Sequence, residues 1–399
     1  MTVKNAKGQI AEHKVEDTRK SINRIRRELA AATRMPGAKA AQQQEIANIL
    51  NHSDEEGTED DPDDAVLQAV IDIDISDDDE DEASDDGYAS DIEPTISSSL
   101  VSSVCDYVYE HGRRFHKFHE GAYLFPNDEL EQEREDMKHS MIVNLCGGRL
   151  HYAPLESPHR IIDIGTGTGV WAIDMGDQYP GASVLGIDLS PIQPVWVPPN
   201  VRFMVDDAEC PWLQPDNHFD FIHIRHLAAA IKDFPKLIRT AYDKLRPGGW
   251  IEIQEFYYQA QCDDDTIPDD YAFAKWLRLM REGLAKFNVD LLSPKKHSTY
   301  IRGAGFTNVN EQTFKVPIGT WPKSKPLKRI GFFHRCLISD GLQGDSMKPF
   351  TKALGWTLEE VEVFNVGVRT SVEDCSVHSY LPFHVVFARK PPLLTDSAG

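Results

Sequence analysis

Short apolar runs rich in β-branched residues recur between positions 160 and 256, and each is five to eight residues long. Runs of this length and composition are typical of parallel strands that are buried on both faces. We predict one strand from each of them. They are RIIDI (160–164), SVLGIDL (183–189), VRFMV (201–205), FDFIHI (219–224) and GWIEIQEF (249–256).

Helical sequences separate these runs. VWAIDMGDQY follows the first run, and DFPKLIRTAYDKL follows the fourth and ends at RPGG, a proline and glycine stop. Because strand and helix alternate, the sequence predicts an α/β protein with a doubly wound, mostly parallel sheet. Two later runs, FTNVNEQTFKV (306–316) and YLPFHVVFARK (380–390), would complete the sheet, and the helical material between them is predicted to be an insertion before the last strand.

The pattern changes before residue 99. Residues 51–95 hold twenty Asp or Glu and no Lys or Arg, so they carry most of the net charge of −22. One-sided charge of this density prevents a core from forming, and we predict disorder. The predicted organisation is a basic, helical and partly disordered arm (1–50), an acidic disordered segment (51–98) and a globular domain (99–399).

An apolar stretch lies inside the acidic segment. Its residues are Val70, Ile71, Ile73 and Ile75, followed by Ser76 and a block of acids. This arrangement is similar to a SUMO-interacting motif, in which a short apolar strand extends a partner's sheet. The alternative is an acidic solubilising tail with incidental isoleucines. RKSINRIRR in the basic arm is likewise either a nuclear import signal or a solvated helix face.

Several classes of protein are disfavoured by composition. The six cysteines are scattered without a CxxC pair, which argues against a zinc site or a disulfide framework and for reduced thiols in an intracellular protein. His116 and His119 lack an acidic or cysteine partner nearby, so no metal is predicted. The start MTVKNAKGQIAEHK has no apolar signal-peptide core, and no run reaches the ~20 apolar residues of a membrane span, so we expect a soluble protein. Five tryptophans are expected in the core, namely Trp171, Trp196, Trp212, Trp250 and Trp356.

Three glycines follow the first apolar run in RIIDIGTGTGVW. A glycine-rich turn after the first strand places bare backbone beside a ligand at the switch point of the sheet. Gly165, Gly167 and Gly169 are spaced GxGxG, and Val170 stands where the dinucleotide fingerprint has its third small residue, so a pyrophosphate loop is disfavoured. The chain also has no GxxxxGK[ST] motif, which excludes a P-loop.

Carboxylates at three successive strand ends favour a ligand without phosphate. S-adenosylmethionine carries an ammonium group, a sulfonium and ribose hydroxyls. Asp163 could serve the ammonium through water, Asp188 could accept both ribose hydroxyls, and Asp207 could accept from the adenine amino group beside the N–H of Ala208. Each acid alone could be a helix cap or a solvated turn, but the three together predict this cofactor. The cofactor-binding residues predicted at this edge are Asp163, Gly165, Thr166, Gly167, Gly169, Asp188, Leu189, Asp207 and Ala208.

From Cys105 to Pro391 the sequence resembles the fungal LaeA-like methyltransferases, which are class I S-adenosylmethionine-dependent enzymes. The similarity rests on EHGRRFH, IDIGTGTGVWAIDM, DLSPIQPVWVPPNV, LRPGGWIEIQEF and LGWTLEEVEVF. The family usually has Asn where His111 stands and Tyr where Phe115 stands. The resemblance implies a Rossmann-like sheet of seven strands with N-terminal lid helices, and it implies that Tyr109 contacts the cofactor. The acidic segment is not part of the resemblance.

The sequence gives fewer indications of the residues that act on the methyl acceptor. Methyl transfer is an in-line displacement for which the protein chiefly supplies alignment and a dry site. Residues after the fourth strand usually face the methyl group in this fold, which points to Arg225 and His226 as catalytic residues. His226 could remove a proton from a hydroxyl or imidazole acceptor. Alternatively, Arg225 pairs with a local carboxylate and His226 packs at the sheet edge.

The resemblance implies a regulator of fungal secondary metabolism and development that acts in the nucleus with velvet-type regulatory proteins and methylates a protein or chromatin acceptor. Residues 51–95 would bind SUMO or a basic protein and repel DNA, so we expect neither nucleic acid nor membrane as a direct partner. The expected location is the nucleus, the cytoplasm or both. The alternatives are a small-molecule methyltransferase of a biosynthetic pathway and a cofactor-binding scaffold with little catalysis.

Overall fold

The apolar runs form the strands of one sheet in the computed structural model, which describes residues 107–392. An antiparallel hairpin of β1 (Tyr107–Glu110) and β2 (Arg113–His116) precedes this sheet. The seven strands of the main sheet are β3 (Arg160–Ile164), β4 (Ser183–Asp188), β5 (Val201–Val205), β6 (Phe219–Arg225), β7 (Leu245–Phe256), β8 (Thr307–Pro317) and β9 (Tyr380–Arg389). All seven runs identified in the sequence are strands.

The strand order is β5-β4-β3-β6-β7-β9-β8. Strand β9 is antiparallel to both of its neighbours, and the other pairings are parallel. This order confirms the doubly wound, mostly parallel sheet. The chain runs from β3 outward through β4 and β5, then returns to the other side of β3 as β6. A crevice therefore opens at the carboxyl ends of β3 and β6, where ligands bind in such sheets.

Seven α-helices cover the sheet in the described part of the chain. They are α1 (Glu129–Leu145), α2 (Val170–Gln178), α3 (Phe234–Lys244), α4 (Ala272–Ala285), α5 (His297–Gly303), α6 (Lys325–Lys348) and α7 (Leu358–Glu373). A 3₁₀ turn (Ser293–Lys296) precedes α5, and a π-helical segment (Pro349–Leu354) follows α6. Helices α6 and α7 are the predicted insertion before the last strand, whereas α4 and α5 form a further helical block between β7 and β8.

The inserted helices α6 and α7, together with α4, pack on the β7–β9 side of the sheet. Phe273 of α4, Leu342 of α6 and Val368 of α7 belong to one buried apolar cluster with Phe256 of β7 and Val385 of β9. Burial of large apolar side chains stabilises each by about 1.5–3 kcal/mol. The insertion is therefore part of the core of this half of the domain, and its helices reach the carboxyl edge of β7.

Two local expectations differ from the structure. The segment before the sheet, expected as lid helices, begins with the β1–β2 hairpin, and α1 follows it. His111 and Gly112 at its tip have φ of 51° and 78°, and positive φ at both central residues is the signature of a tight hairpin turn. The core prediction for Trp196 is wrong, because its side chain is 72% exposed on a loop.

Other sequence predictions lie outside the described residues. These are the basic arm, the acidic segment and the apolar motif at 70–75. None of the five cysteines within residues 107–392 forms a disulfide. No helix in this range has the length and apolar character needed to cross a membrane.

Candidate functional site

The glycine loop at 165–169 connects β3 to α2 at the carboxyl edge of the sheet. Gly165, Gly167 and Gly169 have φ of 67°, 57° and 84°, in the left-handed region that other residues rarely adopt. A Cβ atom on Gly165 would overlap with the side chain of Leu227, and one on Gly169 would overlap with the ring of Phe203, whereas at Gly167 it would meet open space. Backbone conformation thus requires all three glycines, and close packing requires two of them.

We expect Gly169→Ala to destabilise the domain by about 2–5 kcal/mol, since left-handed strain of about 1–2 kcal/mol adds to an overlap with Phe203. Gly167→Ala is the matched control and should cost only about 1–2 kcal/mol, because strain is its sole penalty. Urea unfolding measures the free energy of unfolding of the two variants. Equal losses would show that the Phe203 contact does not limit position 169.

Asp188 ends β4 and holds the glycine loop. Its Oδ2 accepts from the backbone N–H of Gly167 at 2.9 Å, and its Oδ1 accepts from that of Ser190 at 2.8 Å. Each oxygen keeps a second lone pair, so two ribose hydroxyls could still donate to this carboxylate. Burial raises the pKa of Asp188 to about 6, against the opposing effect of the two N–H groups.

Asp163 lies one residue before the end of β3. Its Oδ2 accepts from the hydroxyl of Thr166 at 2.7 Å, and its Oδ1 accepts from Nδ1 of His223 at 2.7 Å. The His223 ring stacks on Trp171 with centroids 3.6 Å apart, and burial lowers the pKa of His223 to about 4. A neutral imidazole and a hydroxyl therefore fix the orientation of this buried carboxylate beside the loop.

Asp207 and Ala208 follow β5. Asp207 accepts from the backbone N–H of Glu209 at 2.9 Å and from Nδ1 of His119 at 2.7 Å. Burial opposes ionisation of Asp207, but the hydrogen bond from His119 and that from Glu209 outweigh it and hold its pKa below the ordinary value. The carbonyl of Ala208 accepts from the indole of Trp212 at 2.9 Å. The segment that carries His119 is thus joined to the third strand end.

A group of metal-ligand type occurs at this junction. One ligand atom from each of His119, Asp207 and Cys210 lies within 4.8 Å of the others. The sequence offered His119 no nearby partner, but the fold brings Asp207 to it from 88 positions away. The hydrogen bond between His119 and Asp207 explains this contact without an ion, and the absence of a metal stays a prediction.

Helix α1 and the residues before it form a further wall of the site. Asn127 donates to the hydroxyl of Ser190 at 3.1 Å, and Asp136 accepts from the hydroxyl of Thr168 at 2.6 Å. This wall was not predicted from the sequence. A local signal existed, since Asp128 followed by an acidic turn is typical of a helix start, and Asp128 does cap α1.

Arg225 ends β6 and takes part in a relay of hydrogen bonds. It donates from Nη2 to Nδ1 of His139 at 2.7 Å, so His139 must donate from Nε2 to Asp174, which lies at 2.8 Å. Burial lowers the pKa of Arg225, but the group remains a cation at any physiological pH. Its positive charge lies at the cavity wall rather than in a surface ion pair.

His226 follows Arg225 with φ of 58°. Neither ring nitrogen of His226 has a hydrogen-bond partner among the described residues, although both are buried. Its Nδ1 lies 3.9 Å from Oε1 of Glu255, which is beyond hydrogen-bond distance. Burial, with the positive charges of Lys138 and Arg225, holds the pKa of His226 well below its ordinary value, and burial raises that of Glu255 to about 8. His226 is therefore a neutral imidazole with unused hydrogen-bonding capacity.

These elements enclose a cavity of about 160 Å³. Ten of the twelve residues predicted from the sequence line it, namely Asp163, Gly165, Thr166, Gly167, Asp188, Leu189, Asp207, Ala208, Arg225 and His226. Gly169 lies behind the loop against Phe203. Tyr109 lies on β1 with 70% of its surface exposed and does not line the cavity; Tyr123, further along the same segment, does.

A second cavity of about 110 Å³ meets the first. Tyr123, Glu135 and His226 line both. Its other walls come from α1, the end of β7 and helices α4 and α6. This cavity was not predicted from the sequence, because its walls come from segments as far apart in the chain as Tyr123 and Leu381.

Comparison with known proteins gives one consistent result. A family model described as a methyltransferase domain matches residues 137–312. Methyltransferase pytC of Aspergillus terreus is 44% identical over 297 residues, which are 74% of this chain and 91% of that protein. The secondary metabolism regulator LAE1 of Cochliobolus heterostrophus is 37% identical over 289 residues, covering 71% of this chain and 94% of its own. Protein-methionine methyltransferase laeA of Emericella nidulans is 32% identical over 71% of this chain and 76% of its own.

Proposed function

Because the chain belongs to the fungal LaeA-like class I S-adenosylmethionine-dependent methyltransferases, we propose that the larger cavity holds S-adenosylmethionine with its methyl group toward His226. The protein is a methyltransferase, and S-adenosylmethionine is its cofactor. The observation that carries the proposed orientation is the convergence of the glycine loop, three strand-end carboxylates, Arg225 and His226 on one cavity.

The nucleoside end fits the strand ends of β4 and β5. Both oxygens of Asp188 already accept one backbone N–H each and keep one lone pair for a ribose hydroxyl. Gly167 leaves open space where a side chain would otherwise stand. Asp207 and Ala208 lie at the next strand end, at the position for the adenine edge.

The methionine end fits Arg225. It is the one Lys or Arg among the described wall residues of a cavity that holds several carboxylates. We therefore assign Arg225 to the methionyl carboxylate of the cofactor, rather than to the chemistry of transfer. The ammonium group would pair with Asp163, which His223 and Thr166 hold in place.

The bound cofactor supplies a methyl group activated by its sulfonium. The chain's own residues align it and exclude water, since the described walls are buried or half-buried and His119 and Asn127 bind the segment at 119–127 to the strand ends. His226 offers a neutral nitrogen that can hold the proton of a hydroxyl acceptor.

A second candidate role concerns the biology rather than the chemistry. Relatives are named secondary metabolism regulators, and one is named a protein-methionine methyltransferase. These names support a regulatory enzyme with a protein acceptor, and the nucleus and velvet-type partners are proposed from the family resemblance. The charge of residues 51–95 supports a basic partner or SUMO at that segment. PytC is named a methyltransferase without a regulatory role, which is compatible with the alternative of a metabolic enzyme.

Transfer of a radiolabelled methyl group into a fungal lysate tests the proposal. We expect at least about tenfold more label with the wild-type chain than with Asp188→Ala, which removes the ribose acceptor. Label in protein would support the regulatory role, and label in the organic extract would support the metabolic one. Label no higher than with Asp188→Ala would contradict the proposal and leave a cofactor-binding scaffold.

A further inference from the structure

The second cavity lies where a methyl acceptor has to be. It shares Tyr123, Glu135 and His226 with the cofactor cavity, so a molecule inside it would lie beside the imidazole that faces the cofactor. This inference rests on the proposed function, because a methyl acceptor is meaningful only if the cofactor occupies the larger cavity.

Most walls of the second cavity are apolar or aromatic. Phe256, Phe273, Trp276 and Met280 line it, and each is at most 6% exposed. The ring of Phe256 stacks with those of His226 and His334 at centroid distances of 5.5 and 5.3 Å. Such walls favour a planar apolar molecule, because flat rings pack against aromatic faces.

The size of the cavity limits this molecule. The second cavity has a volume of about 110 Å³ and the cofactor cavity about 160 Å³, so the second cavity suits a molecule smaller than S-adenosylmethionine. More than half of its wall residues are buried in the domain, which favours a small molecule or a single side chain over a length of protein backbone.

The charged groups of the second cavity are already paired. Lys138 donates to Glu135 at 2.6 Å, and Arg134 donates to Asp345 at 3.4 Å and to Glu131. Each of these two cations therefore has a carboxylate partner, and the described walls of the cavity offer no free positive charge to a charged acceptor. A neutral acceptor avoids the cost of breaking a buried ion pair.

His226 adds one polar requirement. A buried side chain normally has a hydrogen-bond partner, but neither nitrogen of His226 has one among the described residues. An acceptor with a hydroxyl would satisfy it, whereas a thioether would not, because sulfur is only a weak acceptor.

We propose that the second cavity is the acceptor site and takes a small, neutral, planar ring that carries a hydroxyl, such as a phenol or a cyclic enol. The acceptor oxygen forms a bond to the methyl carbon, the carbon–sulfur bond breaks with its electron pair on sulfur, and the hydroxyl proton passes to His226. The products are the methyl ether and S-adenosylhomocysteine.

Two neighbouring alanines provide a matched test. Ala229 lines only the second cavity and Ala230 only the first. In the full chain, Ala229→Phe should fill the acceptor site and lower label in the organic extract at least tenfold while the Kd for S-adenosylhomocysteine stays within about threefold. Ala230→Phe should instead raise the Kd for S-adenosylhomocysteine at least tenfold. The retained affinity of the first variant shows that it is folded.

Phenol serves as the direct probe. Isothermal titration should detect phenol binding to the wild-type protein loaded with S-adenosylhomocysteine, and no binding to Ala229→Phe. Absence of phenol binding to the wild type would overturn the assignment, as would label that enters only protein, whether or not Ala229→Phe abolishes it. If label enters only protein, the chain is still a methyltransferase. That result would support the proposed function and contradict only the assignment of a small ring as the acceptor.

Discussion

Replacement of His226 by asparagine is expected to lower kcat for methyl transfer by about 100- to 10,000-fold, the usual contribution of a positioned general base. Asparagine is chosen because it tolerates the left-handed φ of 58° at this position. The variant should fold and bind S-adenosylhomocysteine, since no hydrogen bond of the described structure depends on the His226 ring. Initial rates at saturating S-adenosylmethionine, with binding followed by isothermal titration, measure the two effects separately.

His334→Gln is the matched control for this prediction. His334 also stacks on Phe256 and also lines the second cavity, but its Nδ1 donates to the carbonyl of Pro317 at 3.0 Å, so the ring has a structural partner. We expect a fall in kcat of less than about tenfold for this variant, because His334 lines only the second cavity and does not adjoin the cofactor cavity. If both variants lose activity equally, His226 shapes the cavity and does not accept the proton.

Asp188→Asn is expected to weaken the binding of S-adenosylmethionine by at least about 100-fold. Two ribose hydroxyls would each lose a charge-assisted hydrogen bond, and such bonds contribute roughly 1.5–3 kcal/mol apiece. Asp177→Asn is the control, because Asp177 lies on exposed helix surface close by in sequence. Isothermal titration should give the wild-type Kd for Asp177→Asn, and a wild-type Kd for Asp188→Asn would remove Asp188 from the nucleoside site.

The raised pKa of Asp188 adds a pH signature to the same experiment. Burial raises this pKa to about 6, so the carboxyl is protonated below that pH and loses acceptor capacity for ribose. Affinity should therefore fall by roughly fivefold between pH 6 and pH 5 and level off above pH 7, because only the ionised fraction binds. The free energy of unfolding changes in the opposite direction. Because the pKa of Asp188 is higher in the folded state than in the unfolded state, this residue lowers the stability as pH rises from about 4 to 6. Asp188→Asn should show neither change.

Local patterns predicted the sheet well, for a physical reason. Strands buried on both faces must be apolar throughout, so RIIDI and VRFMV mark β3 and β5 to the residue. The three strand-end acids could be assigned together because parallel strands present their carboxyl ends at one edge. The glycine loop could also be predicted from the sequence, since each of its glycines has positive φ, which other residues rarely adopt.

Features formed by contacts between distant segments were not predictable in the same way. The bond from His119 to Asp207 and that from Asn127 to Ser190 join residues 88 and 63 positions apart, and no local pattern indicates either. Tyr109 was assigned by resemblance alone, and the hairpin turn at His111 and Gly112 leaves it on an exposed edge. Sequence alone also could not distinguish a buried tryptophan from Trp196, whose loop gives it no covering neighbour.

The two cavities divide the chain into consecutive parts. The described wall of the cofactor cavity comes from residues 122–231, whereas most of the second cavity's wall lies between 256 and 381. Mutations in the later part can therefore change the shape of the second cavity while the residues that bind the cofactor stay the same. Related enzymes can thus acquire new methyl acceptors through substitutions in α4 and α6, while the cofactor site is inherited unchanged.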